Sequence, residues 1–168
     1  MNETIMNNTE TVETTENNAA ALTLAKIKTI DLTVQFATLE AGEGDTIRSS
    51  TTYDDVTLFN AVNGSNEKVE DYLDKCVEIT DIVVTSADIS DDFNDPDAEN
   101  CDKHNKPVVH FFTKDGKHIS SISNGISRAA KNLLSCGFIP TAEQPFTIKF
   151  KQIKTKRGMA YSFDLIKK

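Results

Sequence analysis

Val108-Val109-His110-Phe111-Phe112-Thr113-Lys114-Asp115-Gly116-Lys117-His118-Ile119-Ser120-Ser121-Ile122 is the stretch that decides how this chain folds. Two β-branched and aromatic runs flank Asp115-Gly116, a pair that accepts the positive backbone angles of a tight turn, so the stretch predicts a β-hairpin. Phe111 and Phe112 are adjacent and alternate in direction, which predicts that one is buried and the other exposed. Downstream, Ser123 or Asn124 can cap a helix from about Gly125 to Ser135. Ile126, Ala129, Ala130, Leu133 and Leu134 share its apolar face, Arg128 and Lys131 lie off it, and Gly137 stops it before Pro140. Upstream, Cys76 to Thr85 is rich in β-branched residues and predicts a long strand, with Val77, Ile79 and Val83 on one face.

Further downstream, Phe146, Ile148 and Phe150 alternate with Thr147, Lys149 and Lys151, giving a strand with one apolar and one basic face. A basic turn, Lys154 to Gly158, leads into a second alternating run carrying Tyr161, Phe163 and Leu165, and the two runs read as another hairpin. From residue 76 the order is therefore three strands, a helix and two strands. This is the order of an OB-like, mainly β barrel of five strands with one helix, a fold that holds oligonucleotides or oligosaccharides on its strands and loops.

The first half is less regular. Residues 1–20 are mostly Asn, Thr and Glu, with too little apolar surface to offset the entropy of ordering, and read as a disordered tail. Ile30, Leu32, Val34 and Phe36 alternate and predict a strand at the end of a 22–37 segment, which could join the barrel or a neighbouring subunit. Residues 40–51 read as a linker, Val56 to Val62 is a short apolar run closed by Asn63-Gly64, and Glu67 to Leu73 suggests a helical turn. The expected organisation is an acidic, flexible extension over 1–50 and a barrel domain over 52–168.

Charge separates along the chain, whose formal net value is −8. Residues 1–50 carry three Lys/Arg against eight acids, residues 51–105 three against fifteen, and residues 106–168 twelve against three. Such asymmetry suits a polyanion on the basic part, or mutual neutralisation within the fold. The basic residues fall on predicted strands and turns: Lys114 and Lys117, then Lys149, Lys151, Lys154, Lys156 and Arg157. Ammonium groups beside aromatic rings are what a single nucleic-acid strand requires, following phosphates and stacking on bases without reading sequence. Phe112 and Tyr161 are the candidate stacking rings.

Leu58-Phe59-Asn60-Ala61-Val62-Asn63, then Tyr72 to Ile82, then Lys117 to Asn132 with Ser-x-Ser-Asn-Gly-Ile-Ser at 121–127, resemble the single-stranded DNA-binding proteins of protein-primed, phi29-type bacteriophages. The resemblance spans about residues 56–166. It implies coating of single strands exposed during phage DNA replication, with no catalysis and no cofactor. Some relatives carry an N-terminal extension linked to oligomerisation, which would give residues 1–50 a purpose. Single-stranded DNA is then the expected partner, with a homo-oligomer and replication proteins as further candidates.

Other chemistry finds little support. Asp91, Asp92, Asp95, Asp97 and Glu99 do not place the Gly and Glu of a calcium loop, and Cys101 with His104 cannot complete a zinc site. No metal is expected. The histidines at 104, 110 and 118 have no nucleophile motif to serve, and the glycines form no phosphate loop. A nuclease using magnesium at the acidic loop is the competing enzyme reading, and a module binding an acidic protein through the basic face is the competing interaction reading. Cys76, Cys101 and Cys136 suit reduced thiols, with burial the usual explanation for Cys76 and Cys136. Without a signal-like start or an apolar span of ~20 residues, the expectation is a cytoplasmic protein, in the host if phage-encoded, with no membrane partner.

Overall fold

The computed structural model describes residues 34–39, 46–49, 53–64, 66–90, 103–156 and 158–167. In chain order the elements are a one-and-a-half-turn helix α1 (34–39), β1 (Ile47–Arg48), α2 (Asp55–Asn63), β2 (Glu67–Lys68) and a 3-10 turn (Val69–Tyr72). There follow β3 (Cys76–Ser90), β4 (Lys103–Thr113), β5 (His118–Ser121), α3 (Asn124–Ser135), β6 (Phe146–Thr155) and β7 (Gly158–Ile166). The tail at 1–20, the upstream part of the 22–37 segment, residues 91–102 and Arg157 lie outside the described residues, while residues 88–90, expected to open an acidic loop over 88–102, continue β3.

The sheet runs β2-β5-β4-β3-β6-β7, with β1 also on β3, and every pairing is antiparallel except β2 with β5. Apart from the two-residue strands β1 and β2, the five remaining strands and α3 have the expected OB-like arrangement, with its first strand, β3, central. β3 is long because it serves three partners: Cys76–Ile79 pairs with β6, Ile79–Ser90 with β4, and Val83–Val84 with β1. A bulge between Ile79 and Asp81 marks the handover, and bulges bend a strand and increase its twist, which lets the sheet curl. It also corrects the placement of Val83. Ile79, Ile82 and Val84 all enter the main core, whereas Val83 packs on the opposite face with Phe112 and Leu58, because one inserted residue reverses period-two alternation.

Among the described residues β5 and β7 do not pair, and the start of α3 bridges them. The Ser123 hydroxyl donates to the Tyr161 carbonyl at 3.2 Å and accepts from the Tyr161 N–H at 3.3 Å, instead of capping the helix. The approach is so close that a Cβ on Gly125 would stand 2.2 Å from the Tyr161 carbonyl oxygen, so glycine is required there. Ile126, Ala130, Leu133 and Leu134 then fill the barrel end. At its centre Phe111 meets Phe150 and Phe163 edge-on, with ring centroids 5.3 and 5.5 Å away. The β4–β5 turn has Gly116 at φ +79°, the conformation for which the Asp-Gly pair is suited.

Upstream, the structure departs from two expectations. Residues 34–36 are helical where alternation predicts the end of a strand: the i, i+3 pair Phe36 and Leu39 is buried in the core, while Val34 is 56% exposed. Residues 40–51 do not read through as a linker either. Ile47 is buried and pairs with Val84, and the Ser49 hydroxyl donates to the buried Asp81 carboxylate at 2.6 Å. Both segments are recruited by non-local burial, which outweighs weak local patterning.

Candidate nucleic-acid interface

The β4–β5 turn and the start of β3 enclose an open cleft of about 410 Å³. Lys114 and Lys117 line it, joined by Lys75 and Tyr72, which the sequence reading did not single out. Asp74, in the left-handed region at φ +62°, turns the chain into β3 and sets Lys75 beside Tyr72. The Lys75 and Lys117 ammonium groups lie 5.6 and 5.3 Å from the Tyr72 ring centroid, which is cation–π range. No periodicity announces this grouping. It comes from the pairing of β2, just before the 3-10 turn, with β5, which only the folded chain creates.

Strand parity divides the basic residues of β6. Lys149 pairs in register with Asp164 and Lys151 with Ser162, on the face away from the Phe150–Phe163 core pair. Lys154 has the opposite parity and pairs with Met159 near the hairpin tip, where Lys156 is exposed. The site expected from sequence is thus distributed over the β6–β7 outer face, the hairpin tip and the β4–β5 turn. Four of its lysines meet carboxylates: Lys114 with Glu78 at 3.3 Å, Lys117 with Asp115 at 3.5 Å, Lys149 with Asp74 at 3.5 Å, and Lys151 with Asp164. Glu78 and Asp74 belong to the acidic middle of the chain, so part of the charge asymmetry is neutralised within the fold. These pairs are solvent-exposed, and such pairs contribute only about 0–1 kcal/mol each. An incoming phosphate can replace the carboxylate at little cost.

Neither phenylalanine of the central hairpin is exposed, which corrects the expectation that one would be. Phe111 is wholly buried in the core and Phe112 is only 4% exposed on the outer face. Over Phe112 lie Tyr53, 4.9 Å away between centroids, and Leu58 of α2, while the His118 ring stacks on it at 4.8 Å, nearly parallel. As placed, Phe112 presents no face to a base. Its neighbour His110 bonds through Nδ1 to His118 Nε2 at 3.0 Å and through Nε2 to the Thr85 hydroxyl at 2.9 Å. Burial, then the proximity of His118, lowers the His110 pKa to about 4. Burial also lowers that of His118, with the Ala61 carbonyl acting in the opposite sense. Tyr161 is half-buried against the core cluster, its backbone tied to Ser123.

Cys76 and Cys136 are free and exposed rather than buried, each at the end of an element where the core no longer covers it. Among the described residues no group of three or more His, Cys, Asp or Glu is placed to hold a metal ion, and no helix is long and apolar enough to cross a membrane.

A curled, OB-like sheet with exchangeable lysines on its outer strands and turns has the architecture of a protein that binds single-stranded nucleic acid. The family model for the phage single-stranded DNA-binding protein of phi29 type matches residues 44–165, and the chain belongs to that family. Its role is therefore single-stranded DNA binding in phage DNA replication. The chain finds no significant match among curated proteins or solved structures.

Proposed function

We propose that this protein coats single-stranded DNA without strong sequence preference in the host cytoplasm, protecting strands exposed during phage replication, and that it performs no catalysis and needs no cofactor. Lys149 and Lys151 on β6, Lys154, Lys156 and Arg157 around the hairpin tip, and Lys114 and Lys117 on the β4–β5 turn hold the phosphates. Tyr161, half-buried against the core, supplies stacking. Phe112 supports the strand beneath and does not stack. Self-association and contacts with replication proteins extend the same role. The observation that carries this reading is that four lysines of an OB-like barrel, Lys114, Lys117, Lys149 and Lys151, are held in weak, exposed ion pairs, which a polyanion can exchange.

The test is a fluorescence-anisotropy titration of labelled oligo(dT) against a duplex of equal length across a salt series. Preference for the single strand, fading as salt rises, is the expected result. Equal binding to both, or none, would sink the reading and favour an acidic protein as the partner of the basic face.

A further inference from the structure

A second cleft, of about 390 Å³, opens where the start of β4 meets the first turns of α3. Lys106 comes to it from β4, and Arg128 and Lys131 from α3. Asn124, Arg128 and Lys131 stand at spacings of four and three residues, one stripe of a helix surface, on the side away from the buried Ile126, Ala130, Leu133 and Leu134. His104, Asn105, Pro107 and Ser127 complete the lining, and among the described residues no carboxylate is part of it. Lys131 also lies over the Phe36 ring of α1, 6.0 Å from its centroid.

The contrast with the first cleft carries the argument. There, Lys114 and Lys117 are matched by Glu78 and Asp115. Here, among the described residues, none of the three cations has a carboxylate partner, in a chain with eight more acids than bases. Three like charges converging on one cleft repel each other, and the repulsion is relieved by an anion between them. The lining suits phosphate: two flexible ammonium groups, one guanidinium fork and neutral hydrogen-bonding side chains around them.

We propose that the β4–α3 cleft is a backbone-phosphate site for the single strand, outside the β6–β7 and β4–β5 surfaces and independent of their ion pairs. This rests on the single-stranded DNA reading above. On β4, Lys106 shares the outward parity of Phe112, which α2 covers, and Lys114 follows in the β4–β5 turn, eight residues on from Lys106. At about 3.3 Å per residue the two positions are roughly 26 Å apart along the strand. A strand held at both ends of β4 passes around α2 and has no need of the covered ring.

The experiment compares the full chain with its Lys106→Ala/Arg128→Ala/Lys131→Gln variant, by anisotropy of labelled oligo(dT) across a salt series. Each lost phosphate contact lowers the salt slope of a single strand by about 0.7, so a fall of about 2 is expected, with at least about tenfold weaker binding at low salt. Thermal unfolding checks that the variant is folded; if it is not, the exposed Arg128→Glu alone is used, and should weaken binding more than Arg128→Gln. An unchanged slope and affinity in a folded variant overturns the inference while leaving the single-stranded DNA reading intact. Absence of binding by the unaltered chain overturns that reading itself, and this site with it.

Discussion

Two imidazoles 3.0 Å apart can share a hydrogen only while one of them stays neutral, and His110 and His118 are so placed beneath α2. The His110 pKa falls from 6.5 to about 4 on folding, so between those values the unfolded chain binds more protons than the folded one. Stability from this site is therefore complete above pH 6.5 and is lost as pH falls toward 4, by up to about 3 kcal/mol. Urea titrations over that range should show this loss in the unaltered chain and a shallower one in His110→Gln, with the difference assigning it to the imidazole; identical profiles would refute the assignment. The stacked neighbour gives a second prediction. Phe112→Ala empties a pocket closed by Tyr53, Leu58, Val83 and His118 and should cost about 3–5 kcal/mol of stability. DNA affinity of the folded fraction should stay within about threefold, whereas a stacking ring would cost roughly 1–3 kcal/mol of binding.

At the scale of elements, the β6–β7 ladder permits a test that strand parity defines. Lys149→Ala/Lys151→Ala removes two cations from one face and should lower the salt slope for oligo(dT) by about 1.4. Lys154→Ala, on the other parity, should give an effect that adds to it without coupling; strong non-additivity would mean that the two faces contact the same phosphates. The ladder was legible in the sequence because turn chemistry and alternation are local. Asp115-Gly116, the run from Phe146 to Phe150 and the apolar stripe of α3 each state their structure within a few residues. What escaped was non-local. The bulge after Ile79 reverses the side of Val83, α2 folds over Phe112, and Asp74 and Glu78 reach lysines far along the chain. The alternation of Val34 and Phe36 was too short to hold against the burial of Phe36 and Leu39 as a helical pair. Of the candidate site, the lysine-bearing strands were readable, but neither the Tyr72–Lys75 grouping nor the convergence of Lys106 with α3 follows any spacing in the chain.

For the molecule as a whole, the upstream segment has two separable parts. Phe36, Leu39 and Ile47 belong to the main core, and Ser49 anchors Asp81. A chain starting at Tyr53 loses all of them and, at about 2–5 kcal/mol for each large apolar side chain removed, approaches the whole stability of a domain, about 5–15 kcal/mol. It should be largely unfolded by circular dichroism. A chain starting at Val34 keeps these contacts and sheds only residues 1–33, which hold five acids against two lysines. Its net charge rises from −8 to −5, so it repels a polyanion less over distances shorter than the Debye length, about 10 Å at 0.1 M salt. Association with oligo(dT) should be faster at low salt than for the full chain, with the two rates converging as salt rises, because long-range steering is screened while contact pairs are not. If residues 1–33 serve assembly instead, sedimentation will show a smaller species and binding will weaken at every salt concentration. The direction of the change at low salt, read beside the sedimentation profile, therefore decides between electrostatic screening and assembly as the work of this segment.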